Sequence, residues 1–166
     1  MKAFAHFPII DTFIFDVDGV LTNSDLIVSE DGELLRKMNT RDGLAIKYAL
    51  NAGYRVVIIT GGSSEGVSLR LKGLGVKDIY AGVDDKLKVL SQYCKTNNLN
   101  PNQLLYMGDD IPDLASMQLC GTKACPVDAA NEIKQIADYI AVTKGGSGCA
   151  REVIEKVMRF QSNWNY

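Results

Sequence analysis

The sequence predicts an α/β protein whose mostly parallel sheet is doubly wound, with helices on both faces. Short apolar runs rich in β-branched residues alternate along the chain with helix-length amphipathic segments. This alternation is typical of a three-layer, Rossmann-like arrangement of βαβ units. The length of 166 residues matches one typical domain of roughly 100–200 residues. We therefore expect residues 1–166 to form a single domain without a separate cap domain.

Four runs are predicted as strands because each is short, apolar and rich in β-branched or aromatic residues. The first, at 13–15, precedes Asp-Val-Asp-Gly, and the second, at 56–59, precedes Thr-Gly-Gly. The third and fourth lie at 78–80 and 104–107. Helices between these runs would connect the strands as parallel neighbours.

Helices are predicted where an Asp or Ser can cap a first turn or a Gly can end a last one. The predicted helices run from Asp42 to about Ala52, from Ser63 or Ser64 to Leu74, from Lys86 (after Asp84 or Asp85) to Thr96, and from about Ala150 to Phe160.

One stretch after the first strand departs from this alternation. Residues 26–29 and 33–37 are separated by Glu30-Asp31-Gly32, and an Asp-Gly pair between two apolar runs favours a β-hairpin. We therefore predict a hairpin insertion, roughly residues 20–38, where a crossover helix would otherwise stand.

Charge and composition exclude several classes of function. Eighteen Lys and Arg against 20 Asp and Glu give a net charge of -2, without the basic excess that nucleic-acid or anionic-membrane binding needs. The chain has a single His, His6, which argues against a His-based zinc site or a Ser-His-Asp triad. Catalysis would therefore depend on carboxylates, Lys, Arg and hydroxyl groups.

The same composition predicts a cytoplasmic protein. The longest apolar runs, such as 56–59, are far shorter than the ~20 residues of a membrane-spanning helix, and the first residues lack the apolar stretch of a signal peptide. The four cysteines, at 94, 120, 125 and 149, include no C-x-x-C pair. We expect them to be reduced thiols.

Reactive side chains follow the predicted strands at the edge where open α/β sheets bind ligands. Three strands lead directly into such residues: Asp16 and Asp18; Thr60, Gly61 and Gly62; and Asp109, Asp110 and Asp113. Several carboxylates meeting at one edge repel each other unless a cation neutralises them. Mg²⁺ is the expected cofactor because it prefers hard oxygen ligands and a substrate phosphate.

Position by position, two rival motifs fail. An EF-hand loop starting at Asp16 would need Gly and Glu where this chain has Leu21 and Ile27. Neither glycine-rich stretch, at 61–62 or 144–148, matches the P-loop pattern.

At a strand end, carboxylates at i and i+2 point the same way, so one can attack phosphorus while the other moves protons. Thr60 and Lys86 can then stabilise the phosphoryl group.

Four ordered segments resemble the motifs of the haloacid dehalogenase-like phosphatases. They are Asp-Val-Asp-Gly-Val at 16–20, Ile-Thr-Gly at 59–61, Lys86, and Gly-Asp-Asp-Ile-Pro-Asp at 108–113. Within this superfamily the chain resembles the capless family of 3-deoxy-D-manno-octulosonate 8-phosphate phosphatases, which act on a lipopolysaccharide precursor. Segments 39–43, 82–86 and 145–152, together with the hairpin, carry this second resemblance.

The resemblance implies a role for each matching residue. Asp16 would be the nucleophile and a Mg²⁺ ligand, Asp18 the acid/base with its backbone carbonyl on the metal, and Asp109 the third ligand. Asp110 and Asp113 would lie behind these ligands or reach the metal through water. Thr60 and Lys86 would hold the phosphate. The residues that would contact the substrate are Asp18, Asn39, Thr40, Arg41, Asp42, Gly43, Lys47, Gly61, Gly62 and Arg70. The family forms homotetramers in which the hairpin covers a neighbouring active site, with the glycine-rich segment near residue 145 close by.

Several alternatives stay open. The family often has Arg where this chain has Gly62 and Lys47, and Arg binds a carboxylate bidentately whereas Lys does not. The substrate could therefore be a nine-carbon 2-keto sugar acid 9-phosphate or another sugar phosphate. A phospho-acceptor signalling module and a noncatalytic regulatory subunit are further hypotheses. Asp110 and Asp113 could instead cap a helix, and Arg70 could lie on a solvated helix face.

Overall fold

A computed structural model describes residues 6–165 of the chain, and its core is one parallel sheet. Its six strands are β1 (Thr12–Phe15), β4 (Arg55–Ile59), β5 (Asp78–Tyr80), β6 (Leu104–Met107), β7 (Thr122–Cys125) and β8 (Tyr139–Ile140). They lie in the order β5-β4-β1-β6-β7-β8 and are all paired in parallel. The predicted α/β class and doubly wound parallel sheet are confirmed.

Six helices cover the two faces of this sheet. They are α1 (Thr40–Asn51), α2 (Glu65–Gly73), α3 (Lys86–Asn97), α4 (Leu114–Leu119), α5 (Asn131–Ile136) and α6 (Cys149–Phe160). Side chains of α1, α2 and α6 share one buried cluster with Phe13 and Phe15. Side chains of α3, α4 and α5 share another with Ile14. This division follows from the period of two along a strand, which sends alternate side chains to opposite faces.

Helix α1 begins earlier than predicted. Its N-cap is Asn39, whose Oδ1 accepts a hydrogen bond from the Arg41 amide at 2.8 Å. Asp42, the predicted cap, lies inside the first turn and is buried. The other predicted caps agree better, since Ser64 caps α2 and Asp85 caps α3.

The predicted hairpin is present but short. Strands β2 (Ile27–Val28) and β3 (Leu34–Leu35) pair antiparallel over two residues each. An isolated bridge between Thr22 and Met38 closes its base. The side chains of β2 and β3 are exposed, so the hairpin projects from the body at the carboxyl edge of the sheet.

Two further findings bear on the sequence predictions. Among the described residues, no helix is long and apolar enough to span a bilayer. Cys94, Cys120, Cys125 and Cys149 are all free and buried, as expected for reduced thiols that fill small apolar spaces.

Candidate active site

A cavity of about 280 Å³ opens at the carboxyl edge of β1, β4 and β6. The fold brings most of the predicted chemistry to it because parallel strands end at the same edge of a sheet. Its lining comprises Asp16, Asp18, Ser24, Thr60, Gly61, Gly62, Lys86, Asp109, Asp110, Pro112 and Asp113.

Asp16 lies at the floor of this cavity, directly after β1. Its backbone amide donates to the Met107 carbonyl at 3.1 Å and so continues the pairing of β1 with β6. Its Oδ2 lies 3.0 Å from Lys86 Nζ, whereas its buried Oδ1 has no hydrogen-bond partner. Burial and the neighbouring Asp113 raise the pKa of Asp16 to about 6, and Lys86 limits the rise. Asp16 is therefore a constrained carboxylate with one oxygen open to a ligand.

Lys86 joins two carboxylates at the start of α3. Its Nζ lies 2.8 Å from Asp113 Oδ1, and its side chain is only 6% exposed. Burial works to lower the pKa of Lys86, but the charges of Asp16 and Asp113 outweigh it and the net shift is upward. Lys86 is thus a fixed cation at the point where a phosphoryl group would meet Asp16.

Asp113 is fully occupied by protein donors. Its Oδ1 also accepts from the Tyr106 hydroxyl at 2.8 Å, and its Oδ2 accepts from the Asp109 amide at 3.1 Å. A carboxylate with both oxygens engaged is suited to holding Lys86 in place. Asp110 differs, because it is exposed and its Oδ1 accepts from the Ile111 amide at 2.8 Å. Asp110 thus caps the short turn before α4.

Asp109 completes a cluster of acidic groups that suits a divalent cation. Oxygen atoms of Asp16, Asp109 and Asp113 lie within 4.8 Å of one another. Burial, followed by Asp16, Asp113 and Asp110, raises the pKa of Asp109 to about 7. A bound cation would relieve this repulsion and give the orphaned Asp16 Oδ1 a partner. Since Asp113 is occupied, Asp16 and Asp109 are the carboxylates free to ligate.

Gly19 permits the close packing around Asp109. Its φ is +89°, and a Cβ atom there would lie 1.9 Å from Asp109 Oδ2. Only glycine combines this backbone conformation with such an approach. The turn Val17–Leu21 therefore brings Asp18 to the cavity mouth without displacing Asp109.

Asp18 forms an ion pair that the sequence did not indicate. Arg36, just after β3 in the hairpin, places Nε 2.6 Å from Asp18 Oδ1 and Nη2 3.0 Å from Asp18 Oδ2. The hairpin therefore contacts the active site of its own chain.

Across the cavity, the buried Thr60 hydroxyl oxygen accepts from the Gly62 amide at 3.2 Å.

Comparison with known proteins identifies the family. A family model for haloacid dehalogenase-like hydrolases matches residues 73–153. The 3-deoxy-D-manno-octulosonate 8-phosphate phosphatase KdsC of Haemophilus influenzae is 33% identical over 148 residues, 89% of this chain and 82% of that protein. The chain belongs to the haloacid dehalogenase-like hydrolases.

Solved structures give the same result at the level of the fold. The 3-deoxy-D-manno-octulosonate 8-phosphate phosphatase of Moraxella catarrhalis, crystallised with magnesium, phosphate and KDO, matches with a TM-score of 0.95 at 32% identity, over 99% of this chain and 94% of that one. The cobalt-bound enzyme of Haemophilus influenzae matches with a TM-score of 0.90 at 32% identity, over 95% and 92%. The resemblance indicated by the four motifs is confirmed.

The predicted substrate residues in α1 and at its N-cap are not among those that line the catalytic cavity. Thr40, Arg41 and Lys47 are exposed, and Arg41 lines a separate cavity beside α6. Asn39 caps α1 and its Nδ2 donates to the Gly146 carbonyl at 3.3 Å. The structure of the single chain therefore does not bring these side chains to Asp16.

Asp42 and Gly43, two more of the predicted substrate residues, contact other helices. Asp42 faces α6, where its Oδ1 accepts from the Arg151 amide at 2.7 Å. Gly43 packs against α2, since a Cβ there would lie 2.9 Å from Arg70 Nη2. Arg70 itself lines a larger cavity, of about 880 Å³, that adjoins the catalytic one at Gly61 and Gly62.

Tyr106 and Arg36, which contact Asp113 and Asp18, were not predicted from the sequence, and neither were Ser24 and Pro112 of the cavity lining. Tyr106 carried a signal, because a phenol in an otherwise apolar strand needs a hydrogen-bond partner. Arg36 carried none, because only the folded hairpin places it beside Asp18.

The glycine-rich segment packs against the turn that carries Asp18. The Gly146 amide donates to the Val20 carbonyl at 2.9 Å, and a Cβ on Gly145 would lie 2.0 Å from the Gly19 carbonyl oxygen. The segment therefore supports the active-site turn from behind.

Proposed function

We propose that the protein is a Mg²⁺-dependent phosphomonoesterase for a phosphorylated 2-keto sugar acid, with 3-deoxy-D-manno-octulosonate 8-phosphate as the first candidate. The observation that carries this proposal is the buried Asp16–Lys86 pair, with one Asp16 oxygen free, at the floor of a cavity lined by Thr60, Asp18 and Asp109. The substrate of the relatives supports the choice of sugar acid.

Asp16 acts as the nucleophile in this mechanism. One of its oxygens attacks phosphorus, an oxygen–phosphorus bond forms, and the bond from phosphorus to the sugar oxygen breaks. Asp18 gives its proton to the leaving sugar oxygen. Lys86 and Thr60 face the phosphoryl oxygens and stabilise their charge in the transition state.

Asp18 acts a second time when the aspartyl-phosphate is hydrolysed. It takes a proton from the attacking water, whose oxygen bonds to phosphorus while the bond to Asp16 breaks. Inorganic phosphate leaves, and both carboxyl groups return to their starting states. Asp16 and Asp109, with the Asp18 carbonyl, are the proposed holders of Mg²⁺, which supplies positive charge for the phosphate when bound.

A homotetramer is part of the proposal. Ile27 and Val28 are 64% and 67% exposed on the hairpin, and exposed apolar residues in a group favour a protein contact. A neighbouring subunit would cover them and close the site, replacing the cap domain. The proposed location is the cytoplasm, which is consistent with four free cysteines.

Phosphate release tests this function. The wild-type protein is assayed on eight- and nine-carbon 2-keto sugar acid phosphates and on glucose 6-phosphate, with Mg²⁺ or with EDTA. Asp16→Asn is the inactive variant, and Asp11→Asn is the control because Asp11 is exposed at the opposite end of β1. We expect Mg²⁺-dependent hydrolysis of the eight-carbon acid, lost in Asp16→Asn only.

Other outcomes separate mechanism from substrate. Preference for a nine-carbon acid or for glucose 6-phosphate would keep the mechanism and overturn the substrate. No release from any of these compounds would contradict the proposed activity and favour the signalling or regulatory hypothesis.

A further inference from the structure

Arg36 holds both oxygens of the acid/base residue. Its guanidinium contacts Asp18 at 2.6 and 3.0 Å in the two-pronged geometry that makes such pairs strong. Its side chain is only 7% exposed, although the hairpin residues beside it, Leu35 and Lys37, are exposed. A hairpin of two-residue strands thus delivers one inward-facing cation to the active site.

The pair occupies space that the loop after β4 leaves free. A Cβ on Gly62 would lie 3.1 Å from Arg36 Nη2 and 3.2 Å from Asp18 Oδ2. A side chain at position 62 would therefore enter the place that the guanidinium now fills. Arg36 reaches this place from the hairpin instead.

The guanidinium also faces the larger cavity next to the catalytic one. Arg36 and Arg70 are the cationic residues among those that line it, and it joins the catalytic cavity at Gly61 and Gly62. A substrate whose phosphate lies at Asp16 would extend past Gly62 into this space. An anionic group on the far part of the substrate would meet Arg36.

This arrangement conflicts with the proposed role of Asp18 unless the pair opens. An acid that hands a proton to a leaving oxygen needs an oxygen directed at that atom, and both Asp18 oxygens point to Arg36. A guanidinium held by two hydrogen bonds leaves its carboxylate more readily when another anion takes the place of that carboxylate. A substrate carboxylate is such an anion, whereas a neutral sugar offers none.

We propose that Arg36 determines specificity by exchanging partners. It pairs with the Asp18 carboxylate in the free enzyme and with the substrate carboxylate in the complex. The exchange frees Asp18, which takes up a proton from solvent and passes it to the leaving sugar oxygen, and the proton regained from the attacking water returns to solvent when Arg36 pairs with Asp18 again. The enzyme therefore turns over acidic sugar phosphates in preference to neutral ones. This inference rests on the proposed function.

The test is a ratio of two specificity constants. kcat/KM is measured for 3-deoxy-D-manno-octulosonate 8-phosphate and for glucose 6-phosphate, which has no carboxylate. In Arg36→Ala we expect the ratio of acid to neutral substrate to fall at least about tenfold, the loss typical of a charge-assisted hydrogen bond. The ratio in Arg36→Lys should lie between those of the wild type and Arg36→Ala, because lysine keeps the charge but cannot bind a carboxylate with two parallel hydrogen bonds. Lys37→Ala removes the next, exposed cation and should leave the ratio at the wild-type value.

Moving the guanidinium gives a second, independent readout. Arg36→Ala/Gly62→Arg supplies the same group from the neighbouring loop and should recover part of the ratio. Its matched control, Arg36→Ala/Gly62→Ala, should not. Because this readout is a gain of selectivity, a variant that merely folds poorly cannot produce it.

Three results would overturn the inference. They are an unchanged ratio in Arg36→Ala, an equal loss on both substrates, and recovery by the Gly62→Ala control. If the wild-type protein hydrolyses neither compound, the proposed function itself fails. That outcome is distinct from an active wild-type enzyme whose ratio does not depend on Arg36.

Discussion

Asp113 shows how one buried residue organises the others. It accepts hydrogen bonds from Lys86, Tyr106 and the Asp109 amide, so it fixes a cation, a phenol and the backbone of a proposed metal ligand at once. Removing one partner from such a network leaves the rest unsatisfied and costs more than one ordinary hydrogen bond.

Asp113→Asn should therefore lower both stability and activity. We expect the free energy of unfolding to fall by about 1–3 kcal/mol, because the buried Lys86 loses a charged partner. Phosphatase kcat should fall by about tenfold or more, because Lys86 is no longer held in one position. Urea unfolding and phosphate release measure the two effects.

Asp110→Asn is the comparison, since Asp110 is exposed and caps one turn. Its effects should be smaller on both measures. Equal effects of the two substitutions would contradict the distinction drawn between the two residues.

At the scale of elements, the glycine-rich segment and α6 hold the active-site edge together. Gly145 lies against the turn that carries Asp18, and Asp42 of α1 accepts from the Arg151 amide in the first turn of α6. A carboxylate at a helix N-terminus interacts favourably with the helix dipole. These contacts connect the start of α1, the active-site turn and the last helix.

Gly145→Ala should destabilise the protein by about 1–3 kcal/mol, the usual effect of forcing a methyl group into a packed site. The added Cβ would meet the Gly19 carbonyl oxygen, which belongs to the backbone and cannot turn aside. Gly73→Ala is the control, because a Cβ there meets nothing within 4 Å and alanine favours a helix. Thermal unfolding that ranks the two variants equally would contradict this account.

Asp42 should make stability depend on pH. Burial raises the pKa of Asp42 to about 6 from 3.8, against the backbone hydrogen bonds of Arg151 and Gly148. The folded protein thus holds this proton more tightly than the unfolded chain does. Burial outweighs the favourable hydrogen bonds and helix dipole, so ionisation of Asp42 in the folded protein costs stability, and that cost appears as the pH rises from about 4 to above 6.

Asp42→Asn removes this titration. The stability of the wild type relative to the variant should therefore fall by up to about 3 kcal/mol as the pH rises from 4 to 7. Urea unfolding of both proteins across that range measures the difference. Parallel curves would contradict the buried, protonatable state of Asp42.

The elements that the sequence predicts well are those with a strong local pattern. The strands at 13–15 and 56–59 are apolar runs, and Ser64 and Asp85 are typical caps. Strands β7 and β8 have no such pattern, since β7 contains Lys123 and β8 has two residues. Their pairing comes from the neighbouring strand, so the local sequence could not reveal it.

The residues of the active site also fall into those that the sequence predicts and those that it does not. Five predicted residues follow a strand or begin a helix, and the topology of the sheet alone brings them to one cavity. They are Asp16, Asp18, Thr60, Lys86 and Asp109. Arg36 reaches the site through a pairing 18 residues away, which no spacing rule indicates. Asp42 is a residue type that often caps helices, but it lies in the first turn of α1 because Asn39 takes the cap position.

At the scale of the whole molecule, the exposed hairpin is the feature that a single chain leaves unexplained. Its apolar side chains project from the edge of the site, and a partner subunit is the proposed cover.

Ile27→Ser/Val28→Ser should weaken this assembly and reduce the mass measured by light scattering. Val142→Ser is the control, since Val142 is exposed elsewhere in the chain and its substitution should leave the mass unchanged. A double variant with the mass of the wild type would contradict a hairpin-mediated oligomer.

The most direct test of the central claim is to detect the phosphorylated nucleophile. The enzyme is mixed with Mg²⁺ and 3-deoxy-D-manno-octulosonate 8-phosphate, quenched in acid during turnover, digested and analysed by mass spectrometry. We expect one phosphoryl group on the peptide that contains Asp16 in the wild-type protein, and none in Asp16→Asn. Phosphate release by Asp16→Asn at the wild-type rate, with no phosphorylated peptide in either protein, would contradict the central claim.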